Sequence, residues 1–258
     1  MSNKWTIQNK LHIWHLLNHI LAIIGLIYFF QISINYWWLI ISFAMFIISG
    51  MVGVNIGLHR YLSHKSFTTG KYRDLFLKYI SILSGLGSTV VWVAMHRHHH
   101  ITSDTVKDIQ SPKNIGILRA WFLNYNSANF PPSLVRDIIS CPHNRFIHKY
   151  YFYILITLYI LTTLLNPLLT IFVLAIPAVL CFHGAAAIGV LPHLFGYKIE
   201  GNNDTSYNNI LASMLSLGEG WHNYHHVHPS DYRHGYKWFE FDPSAHVIHW
   251  FLKTNNNK

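Results

Sequence analysis

The sequence predicts an all-α integral membrane protein: four transmembrane helices in two hairpins, with a helical cytoplasmic cap that holds a dimetal site. Three observations predict it. Charged residues make up only 11% of the 258, against about 25% in an ordinary soluble domain, while hydrophobic residues reach 51%. Two long stretches, Leu11–Leu58 and Tyr150–Tyr197, contain no Asp, Glu, Lys or Arg. Twenty histidines outnumber the nineteen Lys and Arg, and their densest groups lie just beyond apolar segments. The absence of periodic Gly and low-complexity tracts excludes collagen-like and disordered chains.

A helix that crosses a bilayer needs about 20 mostly apolar residues, so each uncharged stretch holds two helices and a short turn. The first pair falls near Leu16–Phe30 and Trp38–Ile56, with Gln31–Asn35 as the turn. The second falls near Tyr151–Leu165 and Leu168–Val190, with Asn166-Pro167 as the turn. Helices satisfy their own backbone hydrogen bonds in lipid, and these lack the polar outer faces a soluble bundle would need. Lys4 and Lys10 precede the first hairpin, twelve basic residues lie between the hairpins, and five follow the second. The turns carry none. All positive charge, and both termini, therefore face one side, which the positive-inside rule makes the cytoplasm. The net charge of +9 is thus a topology signal with some attraction to anionic head groups. It gives no further support to nucleic-acid binding. Cys141 and Cys181 are too few for a disulfide framework, which favours a reducing compartment. The N-terminus lacks a small-residue cleavage site, so the first span is expected to be retained. Leu75–Met95 is also apolar but contains Lys78, Gly85 and Gly87. A crossing there would divide the histidine groups between two faces, so the segment is expected in the interface plane or under the cap.

The groups are His59-Arg-Tyr-Leu-Ser-His64, His96-Arg-His-His-His100 and His222-Asn-Tyr-His-His226. Neutral imidazole is the commonest metal-binding side chain. On an α-helix His96 shares a face with His99 or His100, and His222 with His225 or His226, while the adjacent histidine points about 100° away. One group can therefore serve two neighbouring ions. His59 and His64, five apart, diverge by about 140° on the same geometry and again suit two ions or a helix end. These imidazoles are too many for one tetrahedral zinc, and nitrogen-only coordination points to redox iron. His12, His15, His19 and His183 stand in apolar helices and are read as hydrogen-bonded core residues. His98 and His228 are read as bystanders or supporting groups, and His143, His148, His246 and His249 are left unassigned.

The three motifs, H-x4-H, H-x2-H-H and H-x2-H-H, with a hairpin between the second and third, resemble the membrane fatty acid desaturases. The likeness is to the acyl-CoA or acyl-lipid delta-9, stearoyl-CoA desaturase-like branch. It includes His59 to Phe67, Trp92 to Asp108, Asn208-Asn209-Ile210-Leu211, Gly218 to His226, Arg233-His234-Gly235 and Trp238 to Asp242. The resemblance implies one fatty acid desaturase domain over 1–258. Its first hairpin spans 11–58, a cytoplasmic segment 59–149 carries the first two boxes, a second hairpin spans 150–190, and 191–258 carries the third box. Carried over residue by residue, the metal ligands are His59, His64, His96, His99, His100, His193, His222, His225 and His226, around two iron ions. Gly189 stands where many relatives place an Asn, and Asp108-Ile109-Gln110 where the family has Asp-Pro-His. Asp104, Asp108, Glu219 and Asp242 are candidates for orienting the imidazoles.

Removing hydrogen from an unactivated methylene is beyond side-chain acid–base chemistry, so the metal carries the hard step. The resemblance implies an oxidoreductase that uses O2 to place a cis double bond in a saturated acyl chain on CoA, a lipid or acyl carrier protein. The chain would lie in a hydrocarbon tunnel between the spans. No haem, iron–sulfur or flavin motif is present, so electrons are expected from a separate small cytochrome or ferredoxin with its reductase. A hydroxylase or acetylenase of the same superfamily is the nearest alternative. A metal transporter is a distant one, because it would place ionisable groups at the membrane midplane.

Overall fold

The computed structural model describes residues 7–31, 35–103, 105–122, 130–199 and 205–254. In chain order, α1 (Ile7–Gln31) and α2 (Trp37–Ser63) form the first long pair. Next come α3 (Lys71–Ser84) and α4 (Thr89–Thr102), then the short α5 (Pro112–Ile115), α6 (Ile117–Trp121) and α7 (Arg136–Ser140). The second long pair is α8 (Pro142–Leu165) and α9 (Pro167–His193). The remaining chain folds as α10 (Ile210–Ser216), α11 (His222–Val227) and α12, which runs from Pro243–Val247 into Ile248–Leu252. The described residues pair only as isolated bridges, not as strands. The fold is therefore all-helical, with α1, α2, α8 and α9 long and apolar enough to cross a membrane.

All four long helices outrun the expected spans at the histidine-bearing end. The α1 helix begins at Ile7 rather than near Leu16, α2 continues to Ser63, α8 starts at Pro142, and α9 reaches His193. The cause is simple: apolarity marks the part inside lipid, whereas the helical hydrogen-bond ladder continues into the cap at no extra cost. The second turn forms where expected, with the Asn166 side chain accepting from the Leu168 N–H and Pro167 opening the helix. In the first turn, 32–34 lie outside the described residues, and Asn35 accepts from the Trp37 N–H.

Polar side chains join the spans sparingly. Asn18 of α1 accepts from the Tyr159 hydroxyl of α8, and Ser42 of α2 donates to the Phe172 carbonyl of α9. Such bonds are favoured where water is absent. Leu75–Met95 is not one helix. α3 and α4 bend by 85° across Gly85 and Gly87, whose φ values of 72° and 116° suit glycine. α3 lies so close to α2 that a Cβ on Gly57 would meet the Leu77 carbonyl at 3.0 Å. The segment returns to the side it left, since His64 and His96 meet on either side of it.

Candidate metal centre

Four helix ends deliver nine imidazoles to one place. The α2 helix does so by an unexpected route. From Ile47 to Ser63 it is wound as a π-helix, and the His64 N–H bonds the His59 carbonyl at 3.1 Å. Bonds of the i→i+5 kind bring residues five apart onto one face. Of the two expected arrangements, two ions or a helix end, the structure takes the second: His64 caps the end of α2, its ring centroid lies 5.0 Å from that of His59, and the two join the same group. α4 is capped by Ser88, and Arg97 ties it to the end of α2 by bonding the Leu62 and Ser63 carbonyls and Asp137. α11 is capped by Asn208, whose Oδ1 accepts from the Asn223 and Tyr224 N–H groups. His193 ends α9.

The imidazoles divide into two groups. His59, His64, His96, His100 and His225 form one; His99, His193, His222 and His226 form the other. Each histidine box is split as helical spacing requires: His96 and His100 face one group and His99 the other, His222 and His226 one and His225 the other. Within the first group, Nε2–Nε2 distances are 3.0 Å for His59–His225, 2.6 Å for His64–His96 and 3.0 Å for His225–His100. In the second they are 3.2 Å for His193–His222 and 2.9 Å for His226–His222.

Hydrogen bonds cannot account for this convergence. His59 donates its Nδ1–H to Glu219 at 2.6 Å, and His99 donates to Asp108 at 2.9 Å. Their inward Nε2 atoms are therefore lone pairs. His225 Nε2 faces two imidazoles and His222 Nε2 two more, although a ring nitrogen carries at most one hydrogen. Ligand nitrogens about 2.1 Å from a common ion and at right angles would lie about 3.0 Å apart, so a cation fits where a proton network does not. Burial, reinforced by neighbouring imidazoles, pushes His64 down to about 2 and holds His222 and His225 well below 6.5. These rings are neutral, as ligands must be.

A buried charge network backs the first group. Arg60, fully buried, bonds Glu219 at 2.6 Å, Asp242 at 2.9 Å and the Tyr232 carbonyl at 2.6 Å. Burial would raise the Glu219 pKa, but Arg60, His234 and His59 hold it well below the carboxylate range. Asp108 is likewise kept low by His99 against its burial. Asp242 accepts from the His234 N–H and caps α12. Thus Asp108 and Glu219 touch imidazoles directly, Asp242 acts through Arg60, and Asp104 lies outside the described residues.

The sequence reading missed His234. It is buried, its Nδ1 lies 3.2 Å from Glu219 Oε2, and its ring covers His225 at 4.3 Å. No helical spacing links it to a histidine box. The histidines of the apolar helices behave differently, and of the four expected in the core only His15 is buried, His12, His19 and His183 being half-buried. Trp121 donates to His183 Nδ1 at 3.1 Å, so the His183 Nε2–H donates to His19 Nε2 at 3.2 Å. His19 then donates to the His15 carbonyl at 2.7 Å. That chain closes without a cation. His98 packs on Phe130 and His228 on Tyr224.

An apolar cavity opens beside both groups, lined by Val54, Leu86, Trp92, Ala185, Ile188 and Gly189 among others. A Cβ at Gly189 would meet nothing within 4 Å. A lower cavity shares Val54, Asn55, Ala185 and Ile188 and extends to Phe46, Gly50 and Cys181.

Four helices long and apolar enough to cross a membrane, with nine convergent imidazoles at one end that could hold metal, define a histidine-rich membrane protein. The chain belongs to the fatty acid desaturase family, whose model matches residues 34–256. It is 32% identical over 225 residues to the sn-1 stearoyl-lipid 9-desaturase of Anabaena variabilis, covering 85% of this chain and 82% of that one. It is 31% identical to delta-9 acyl-lipid desaturase 2 of Arabidopsis thaliana, covering 90% and 76%. An acyl-CoA 5-desaturase of Anemone leveillei is 29% identical, covering 85% and 70%.

Depressed imidazole pKa values make the metal-free protein acid-sensitive. Unfolded histidine titrates near 6.5, so below that pH the unfolded chain binds protons that folded His64, His222 and His225 do not. Stability is expected to be full above pH 6.5 and to fall below it, by at most about 1.4 kcal/mol per group per pH unit. Thermal unfolding of chelator-treated protein at pH 7.5 and 5.5 measures this. Equal midpoints at the two pH values would contradict it.

Proposed function

We propose that the chain is a membrane-bound di-iron acyl desaturase that inserts a cis double bond, at the delta-9 position, into a saturated acyl chain using O2. The observation that carries this reading is the convergence of nine imidazoles beside an apolar cavity. His59, His64, His96, His100 and His225 would hold one ion, and His99, His193, His222 and His226 the other. The two irons, when bound, supply the oxidising power needed to take hydrogen from an unactivated methylene pair. The chain itself does the rest. Glu219 and Asp108 hold the Nδ1 protons and so keep the Nε2 atoms available. Trp92, stacked on His96, and the apolar wall exclude water. The apolar cavity beside both groups would position the substrate hydrocarbon against the centre.

Two of the relatives act, by their names, on position 9 of a lipid-borne chain, which supports the delta-9 assignment and an acyl-lipid carrier over acyl-CoA or acyl carrier protein. Electrons come from a separate small cytochrome or ferredoxin with its reductase, docking on the basic face. The distribution of Lys and Arg supports a cytoplasmic position for both termini and for the centre.

Expression in a host lacking its own desaturase, followed by fatty-acid gas chromatography with mass spectrometry, is the test. New cis-monoenes are expected; hydroxy acids would favour the hydroxylase alternative. Purified protein should contain two irons per chain, and activity with zinc alone would contradict the redox chemistry. The cavity gives a further expectation. Ala185 lines both cavities. Ala185→Phe should cut product at least about 10-fold while iron content is unchanged, since overpacking costs only about 1–3 kcal/mol. Unaltered turnover would mean that the acyl chain lies elsewhere.

A further inference from the structure

The helix α10 is amphipathic the wrong way round for a water-facing cap. Ala212, Ser213 and Ser216 are buried, whereas Ile210, Leu211, Met214 and Leu215 form one outward face. Met214 is 74% exposed. The polar atoms are turned inward and used. Asn209 caps the helix at the Ala212 N–H, Ser216 Oγ donates to the Ala212 carbonyl, and the Ser216 carbonyl accepts from Asn55 of α2 at 2.8 Å. Four adjoining large apolar side chains facing water would be an aggregation hazard.

The position of α10 says what covers them. A Cβ on Gly184 of α9 would meet the Leu215 carbonyl at 3.2 Å. Gly184 lies nine residues before His193, about 13 Å down the helix at 1.5 Å per residue. Asn55 lies one turn below His59. The C-terminal end of α10 is thus seated beside the uncharged part of α9, below the level of the histidines. Leu180, one turn further down α9, is itself outward-facing, so the apolar surface of α10 is continuous with that of a span.

We propose that α10 is an in-plane helix sunk into the leaflet on the histidine side, its outer face docked on lipid acyl chains. Its inner end, Ser216 and Leu217, forms part of the wall of the lower cavity. Lipid therefore backs that wall. The assignment rests on the fold alone and does not depend on the proposed chemistry.

Spin labelling of the full chain in phosphatidylcholine–phosphatidylglycerol vesicles tests it. Leu211→Cys and Met214→Cys are labelled separately in a Cys141→Ser, Cys181→Ala background, with two controls. Leu161→Cys is on the exposed face of α8, and Val106→Cys is 92% exposed in the loop after α4. Power-saturation measurements compare collisions with O2, which partitions into lipid, and with chromium oxalate, which does not. Both α10 labels are expected to match Leu161, with O2 collisions dominant. Labels that match Val106 would place the face in water and overturn the assignment. Labels shielded from both reagents would place a second copy or another protein there, and overturn it equally. Using two positions keeps the test decisive if one variant fails to fold.

Discussion

His225→Ala and His99→Ala are each expected to abolish desaturation, by more than about 100-fold, while the protein stays in the membrane. That exceeds the 10- to 100-fold typical of losing a partner that merely orients a ligand. His225 is the stronger case, because its Nε2 lies 3.0 Å from both His59 and His100 and it is fully buried. Its loss opens the five-histidine group at its centre. His99 occupies the same position in the argument for the four-histidine group, where Asp108 fixes its proton. His183→Leu is the contrasting variant. Its ring belongs to the Trp121–His183–His19 chain, which is closed by hydrogen bonds, so metal content should be unchanged. Product analysis together with elemental analysis of purified protein reads both effects. Full activity in His225→Ala or His99→Ala would remove that residue from the ligand set. Loss of metal in His183→Leu would mean that the His183 ring serves the metal groups as well.

The membrane architecture was legible because lipid tolerates so little. A stretch without charge, such as Leu11–Leu58, has few places to go but into the bilayer. Helix ends were less legible. Ile7–Asn9 and Pro142–Lys149 are polar enough to look like loops, yet they continue α1 and α8, since nothing but a cap or a proline obliges a helix to stop at the lipid boundary. The separation of adjacent histidines within each H-x2-H-H box followed from 3.6 residues per turn, whereas the pairing of His96 with His100 and of His222 with His226 did not. The shared group of His59 and His64 did not either, because α-helical winding sends residues five apart to different faces, whereas Ile47–Ser63 is π-wound and His64 sits at its end. Apolar periodicity gives no notice of that change, which shows only in the i→i+5 bonds. His234 was hidden for another reason. It reaches Glu219 and His225 from a non-helical segment, after the chain has turned back over α11, and no local spacing encodes such an approach. The inverted face of α10 was present in the sequence as Ile210, Leu211, Met214 and Leu215. Its meaning depends on Leu215 lying against Gly184, which is a tertiary fact.

Glu219→Ala should be the most damaging change outside the imidazoles themselves. Glu219 is 1% exposed and accepts from His59 Nδ1 and from Arg60, with His234 Nδ1 3.2 Å away. Without it, among the described residues, Arg60 keeps Asp242 and the Tyr232 carbonyl, and the His59 proton loses its acceptor. Breaking one side of a buried ion pair typically costs about 3–5 kcal/mol, because the remaining charge stays out of water. Metal retention should fall by about 10- to 100-fold as His59 loses its orientation. Asp108→Asn should be milder, since Asp108 holds one imidazole and the Gln110 N–H, with no Lys or Arg paired to it among the described residues. The role of His234 can be separated from bulk packing by two amides. An Asn side chain places its N–H near the Nδ1 position and so can still reach Glu219, whereas a Gln side chain extends toward the Nε2 position. His234→Asn is expected to keep metal close to the original level and His234→Gln to lose it several-fold. Metal content after dialysis against graded chelator, with thermal unfolding at pH 7.5, measures all four variants. Undiminished metal binding in Glu219→Ala would show that the Arg60–Glu219 network serves the fold alone. Equal behaviour of the two His234 amides would show that its ring only fills space beside His225.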